Sequence, residues 1–383
     1  VRIAFCADVH LANHRICGGK YEAGLNDRCR LILDVLEEAV TSAYQMDCDA
    51  LIIAGDLFDT TRPSPQIIAA TGQVLTKHPS LTIDIIVGNH DRNSDHPQDH
   101  ALGPLGFAQN VRIWSQPALN VIEDGAVILM PFQAGPAKDW LPVEIEKITG
   151  GGKVKQPTVL VTHLGLHDQA VRDANFWAEE ANDAIDVCVL DQIMLKHGIQ
   201  FAMSGNWHGF AGWKFQGTFD RCIYQIGALV PTGWDNPGLV GEYGSLLVLD
   251  TGSTASPADA CRRNELGGPR FVNVSSDAEL EKVLREAESS GMELALFVRW
   301  NVEPEQVIYA THRLAELKSA GLIRDFDVRL SKDAIRGKAQ QAAQAAKSSE
   351  TLAGALAEFV KAMPLEPGID RQRVFNRARE YLR

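Results

Sequence analysis

Short clusters of carboxylates, imidazoles and amides mark this chain. They are Asp8-Val9-His10, Gly55-Asp56-Leu57-Phe58-Asp59, Gly88-Asn89-His90-Asp91, Thr162-His163 and Gly205-Asn206-Trp207-His208-Gly209. Each follows a run that reads as β-strand, and strand ends in α/β folds are where ligands and catalytic groups collect. Carboxylate, imidazole and amide donors together suit two adjacent divalent ions of the Mn, Fe or Zn type. Two such ions, roughly 3.5 to 4 Å apart, can flank a phosphodiester. One carboxylate must then bridge them, and Asp56, directly after a buried strand and a glycine, is the expected bridge. Asp8 and His10 stand at i and i+2, so an extended strand tip points both the same way. Asn89 offers a neutral carbonyl oxygen. His90, its neighbour, is aimed elsewhere and can donate a proton to a leaving oxygen or hold a phosphate oxygen.

Taken singly, each cluster has an ordinary explanation. A lone D-x-H is common, G-D-x-x-D can be a turn closed by its own Asp, and a lone His163 is more often a core histidine. The conjunction, with all clusters after strands and in one order, turns the balance toward a metal site.

The elements that must position these residues follow from periodicity. Arg2 to Ala7, Ala50 to Ala54 and Leu81 to Val87 read as strands. Asn26 to Gln45 and Pro65 to Thr76 read as helices. Further strands are expected at Val111 to Trp114, Leu119 to Ile122, Ala126 to Met130, Thr158 to Thr162, Gln200 to Met203, Arg221 to Ile226 and Ser245 to Leu249. The fold class is α/β: two packed β-sheets flanked by helices, four layers in all. A Gly/Ser/Pro/Ala-rich stretch, Thr251 to Pro269, looks like a boundary. A compact β-α-β-α-β pattern follows, from Arg270 to Leu330. The division expected is a body over 1–268, a small α/β domain over 269–331, a linker over 332–349 and a helical region over 350–383. In that last region an apolar stripe runs through Leu352, Ala355, Leu356, Phe359, Val360 and Met363. Asp370 can cap a second helix.

The chain has 383 residues and a formal charge of −12. That balance argues against gripping nucleic acid by bulk charge alone, but not against gripping phosphates through metals. From Ser331 to Arg383 there are ten basic and six acidic residues, net +4, which leaves −16 for the rest. Seven cysteines without a C-x-x-C pair fit reduced thiols in a cytoplasmic protein and argue against a disulfide framework or zinc ribbon. No apolar run approaches a membrane span.

The motifs in order, D-x-H, G-D-x-x-D, G-N-H-D, a lone His, then G-N-x-H, resemble those of the calcineurin-like metallophosphoesterases. Within that family the chain resembles the SbcD-like nuclease subunits of DNA recombination and repair complexes. The resemblance is strong over residues 1 to about 250, including Gly227-Ala228-Leu229-Val230-Pro231, and weaker through the β-α-β-α-β unit, which resembles that family's DNA-capping domain. It implies that Asp8, His10, Asp56 and His208 hold one metal. It implies that Asp56, Asn89, His163 and position 206 hold the other, and that His90 is the catalytic residue. It implies Mn²⁺ as cofactor, DNA as substrate, an SMC-like coiled-coil ATPase as partner of the helical region, and room for a homodimer. Asn206 departs from the pattern, which has His there. The exchange reads equally as a natural variant with a weak second site or as an introduced change that cripples catalysis. Two rivals to a nuclease stay open: a phosphodiesterase or phosphatase for small substrates, and a catalytically impaired scaffold that binds DNA or the ATPase.

Overall fold

Strands covered on both faces must be apolar throughout, and Arg2–Cys6, Ala50–Ile53 and Thr82–Ile86 nearly are. In the computed structural model they lie side by side in a six-stranded sheet. Its order is Cys261–Glu265, Ser245–Asp250, Arg2–Cys6, Ala50–Ile53, Thr82–Ile86, Val111–Trp114. The four strands from Arg2–Cys6 onward are parallel, and Ser245–Asp250 pairs antiparallel with both Arg2–Cys6 and Cys261–Glu265. The structure describes residues 1–122, 125–152, 154, 158–170, 183–234, 245–252, 260–331, 356, 359–363 and 370–380. The expected linker over 332–349 lies outside them.

A second six-stranded sheet has the order Ala211–Phe215, Arg221–Gln225, Phe201–Gly205, Thr158–His163, Gly125–Met130, Ala118–Ile122. The period of two places alternate residues on opposite faces. Ile3, Phe5 and Ile52 face inward and meet Val127, Val159, Val161, Phe201 and Met203 of the second sheet. Ala4, Cys6, Leu51 and Ile53 face outward under the helices Asp27–Gln45 and Pro65–Leu75. The outer face of the second sheet is covered by Ala137–Thr149 and Val187–His197. The result is helix, sheet, sheet, helix, as the periodicity predicts.

Several boundaries move. Asn26 is the cap of the first long helix and not its first residue, its side chain accepting the Cys29 N–H at 2.8 Å. The stretch read as a boundary, Thr251 to Pro269, carries the edge strand Cys261–Glu265 of the first sheet.

After it comes a three-stranded parallel sheet, Gly268–Val274, Leu294–Val302 and Asp325–Leu330. Its helices Asp277–Ser289 and Val307–Ser319 bury Leu280, Ala310, Leu314 and Leu317 against it. This unit touches the body through Trp234, which packs with Phe271 and Phe297. The Arg28 guanidinium lies 4.6 Å from the centre of the Phe271 ring. Arg299 lies 4.3 Å from that of Trp234. Among the described residues no helix is long and apolar enough to cross a membrane, and the seven cysteines are free.

Candidate metal centre

The parallel strands of both sheets end on one side of the molecule, and the chemical residues stand in the turns that follow. Asp8 and His10 leave Arg2–Cys6, Asp56 leaves Ala50–Ile53, and Asn89 and His90 leave Thr82–Ile86. His163 ends Thr158–His163, while Asn206 and His208 leave Phe201–Gly205. These turns are tightly laced. The N–H groups of Val9 and His10 both donate to the Asp56 carbonyl, at 2.9 and 3.0 Å. The Leu229 N–H donates to the Ala7 carbonyl, and that of Ala228 to the His208 carbonyl. Lacing at this density over-determines the backbone, and four site residues hold left-handed conformations: Asp8 (φ 51°), His10 (49°), Asp56 (51°) and Asn206 (86°). Non-glycine residues there concentrate at functional sites, where the surroundings hold them against the cost.

Asp8, His10, Asp56 and His163 are buried, Asn89, Asn206 and His208 half-buried, and His90 exposed at the rim. Donor atoms of Asp8, His10 and His208 lie within 4.8 Å of one another, and so do those of Asp8, Asp56 and His163. Asp8 is common to both sets, and Asp56 reaches an imidazole of each. Its Oδ2 is 3.8 Å from His10 Nε2 and 3.2 Å from His163 Nε2. Asn89 Oδ1 is 2.9 Å from His163 Nε2. The structure thus brings the expected residues together, save that Asn206 joins through its backbone N–H, 3.0 Å from each Asp8 oxygen. Its side-chain amide is turned to Asp183. His90 falls within the same 4.8 Å of His10 and Asp56, so proximity alone allows it to be a ligand as well.

Electrostatics say what the centre is built to hold. Burial pushes the Asp8 carboxyl up to about 6, against the pull of His163 and His10. Burial also opposes ionisation of Asp56, but the charge and hydrogen bond of His163 overcome it and hold Asp56 well below the usual carboxylate range. Burial works against a charged His163 too, yet the same pairing with Asp56 raises it above an ordinary imidazole. Burial, then the neighbouring His10, lowers His208 to about 4, so its ring is neutral. His10 Nε2 and His208 Nε2 are only 3.1 Å apart. Two imidazole nitrogens aimed at one point, next to two buried carboxylates, make a donor set that fits divalent cations.

Outer partners aim these groups, and the motifs by themselves give them no role. Asp59 Oδ1 accepts from His10 Nδ1 at 3.0 Å, which directs Nε2 into the centre. The Asp59 carbonyl accepts from His90 Nδ1 at 3.1 Å. Carboxylate or carbonyl groups behind a ligating imidazole are a regular feature of metal sites. Asp91 is fully buried and accepts the N–H groups of Phe58 (3.0 Å) and Gly88 (3.1 Å), which ties the Asp56 turn to the Asn89 turn. Asp59 and Asp91 sit inside the quoted motifs, and that was their signal. Asp183 had none.

The family model described as calcineurin-like phosphoesterase matches residues 1–210, which contain every residue of this centre. Among solved structures, the protein TT1561 of Thermus thermophilus is similar at 10% identity and a TM-score of 0.43, over 69% of this chain and 98% of its own. A dimetal phosphatase from Danio rerio is similar at 11% identity and a TM-score of 0.40, over 64% of this chain and 91% of its own.

Proposed function

The chain belongs to the calcineurin-like phosphoesterase family, and from that premise we propose that it is a Mn²⁺-dependent DNA nuclease of the SbcD-like kind. The observation that carries its two-ion part is the placement of Asp56 within reach of both His10 and His163. On this reading Asp8, His10, Asp56 and His208 hold one ion, and Asp56, Asn89, His163 and Asn206 the other. When bound, the pair supplies Lewis acidity that neutralises charge developing on the phosphoryl group and acidifies water.

The chain's own groups do the rest. Asp59 and the Ala54 carbonyl, 2.7 Å from His163 Nδ1, fix two ligand rings. His90, exposed at the rim, uses Nδ1 to donate to the Asp59 carbonyl, which leaves Nε2 as the ring nitrogen for the substrate. From the rim its ring holds a phosphate oxygen or delivers a proton to the leaving oxygen. The three-stranded unit and the helical region support a polymeric substrate and a partner, since a small phosphoester needs neither. The partner proposed for the helical region is an SMC-like coiled-coil ATPase.

The test is metal content of the purified protein, followed by Mn²⁺-dependent cleavage of labelled DNA beside a small phosphomonoester. Two ions per chain and cleavage of DNA are expected. Turnover of the monoester alone would replace the nuclease by a phosphatase. One observation favours a second reading, a scaffold without cleavage: the amide of Asn206 where the family has an imidazole. Protein that binds DNA, yet neither takes up ions nor cuts, would establish it.

A further inference from the structure

Asn206 is held from two directions. Its backbone N–H donates to both oxygens of Asp8 at 3.0 Å. Its side-chain Nδ2 lies 3.2 Å from the Asp183 carbonyl oxygen and 3.1 Å from Asp183 Oδ2. An amide has one face that donates and one that accepts. With a carbonyl and a carboxylate oxygen on one side, only the NH₂ group can face them, because the reversed amide would set oxygen against two oxygens. The orientation is therefore decided by Asp183. Both N–H bonds are used there, and Oδ1 is the side-chain atom left to act on anything else.

Asp183 does not depend on Asn206 for its own place. Its carbonyl also accepts the Gly165 N–H at 2.9 Å, two residues beyond His163. It directly precedes the short strand Ala184–Asp186, which pairs in parallel with Gly165–His167. The carboxylate is thus anchored to the same strand end that carries His163. A polar ligand backed by a carboxylate is the arrangement that raises ligand basicity and fixes ligand direction in metal sites.

We infer that Asp183 is the positioning residue of the second ion's site, presenting Asn206 as an oxygen ligand and shifting that site toward oxygen-preferring ions such as Mn²⁺ and away from Zn²⁺. This rests on the two-ion reading above. The shift follows from donor chemistry, because an imidazole nitrogen suits Zn²⁺ whereas a carbonyl oxygen suits Mn²⁺ or Mg²⁺. An imidazole placed at 206 could be backed by the same carboxylate, so Asp183 serves either ligand and the identity of residue 206 sets the preference.

The experiment is calorimetric titration of Mn²⁺, and separately Zn²⁺, into the chelator-treated 383-residue chain and three variants. The original chain should bind Mn²⁺ in a tight and a weaker step. Asp183→Ala should weaken only the weaker step, by about 10 to 100-fold. Asp183→Asn keeps an acceptor for the amide and should restore most of that loss. Asn206→His should tighten the weaker step and move its Mn²⁺-to-Zn²⁺ affinity ratio at least about tenfold toward Zn²⁺, with a gain in DNA cleavage. An unchanged weaker step in Asp183→Ala would overturn the inference. So would an Asp183→Asn as weak as the alanine variant, which would make the negative charge and not the orientation decisive. So would an unchanged ion ratio in Asn206→His. A single Mn²⁺ step in the original chain would overturn the two-ion reading itself, before any variant is compared.

Discussion

Asp56 is used by both oxygens. Oδ1 accepts the His90 N–H at 2.9 Å, and Oδ2 faces His163 and His10. Asp56→Asn keeps the shape and removes the charge, leaving two adjacent cations poorly compensated. Mn²⁺-dependent hydrolysis should fall by at least about 100-fold, since loss of an outer partner alone typically costs 10 to 100-fold. Circular dichroism should show the fold intact, and mass-spectrometric metal analysis should show lost Mn²⁺. A folded variant that still cleaves would end the bridging assignment. His90→Asn separates two roles that proximity leaves together. A rim acid should lose about 10² to 10⁴ in turnover with the Mn²⁺ stoichiometry unchanged, whereas a ligand would lose the metal too. At this scale much was legible: Asp8, His10, Asp56, Asn89, His90, His163 and His208 stand in short motifs after strands, and the structure gathers them. Asp183 was illegible because it reaches Asn206 across a strand pair, and no local pattern records that meeting.

Elements meet at the centre with little room to spare. A Cβ on Gly88 would lie 2.1 Å from Asp56 Oδ1 and 2.4 Å from the Asp56 nitrogen, a steric demand that backbone must absorb. Gly88→Ala should therefore displace the Asp56 carboxylate and weaken Mn²⁺ binding, with a stability loss of about 1 to 3 kcal/mol. Urea unfolding and Mn²⁺ titration would check both. Gly103→Ala, where an added Cβ meets nothing within 4 Å, is the control. Near-original Mn²⁺ affinity in Gly88→Ala would show that the Asp56 turn is softer than its packing implies. The sequence made the buried parallel strands plain, because cover on both faces demands unbroken apolar runs. It hid the strand Cys261–Glu265, because Cys-Arg-Arg-Asn-Glu at a sheet edge carries no apolar run. It also hid the helix Ala137–Thr149, which keeps Pro142 inside it. The helix Val187–His197 was hidden as well, because Val187 and Val189 favour a strand reading.

Across the whole molecule, the segment 226–234 links the centre to the three-stranded unit. It begins at the Ser204 carbonyl, passes Ala7 and His208, and ends at Trp234 between Phe271 and Arg299. Asn273 and Arg28 hold the same segment through the carbonyls of Trp234 and Thr232. The C-terminal helical region is braced within itself. There, Arg371 Nη1 donates to the carbonyls of Val360 (2.7 Å), Lys361 (2.9 Å) and Met363 (2.7 Å), closing the end of one helix with the start of the next. Asp370 caps that second helix, accepting the Gln372 N–H at 2.8 Å. The two helices thus brace each other while Phe359 and Met363 stay exposed. Exposed apolar side chains on a braced helix pair are suited to groove or coiled-coil docking. Deleting residues 349–383 should abolish co-purification with the proposed coiled-coil ATPase and leave cleavage of short single-stranded DNA largely unchanged. Phe359→Asp in the full chain should weaken that association at least about tenfold, about 1.4 kcal/mol. Full affinity in either variant would mean that the ATPase docks elsewhere. A parallel loss of cleavage in the truncated chain would mean that the helices support the body instead.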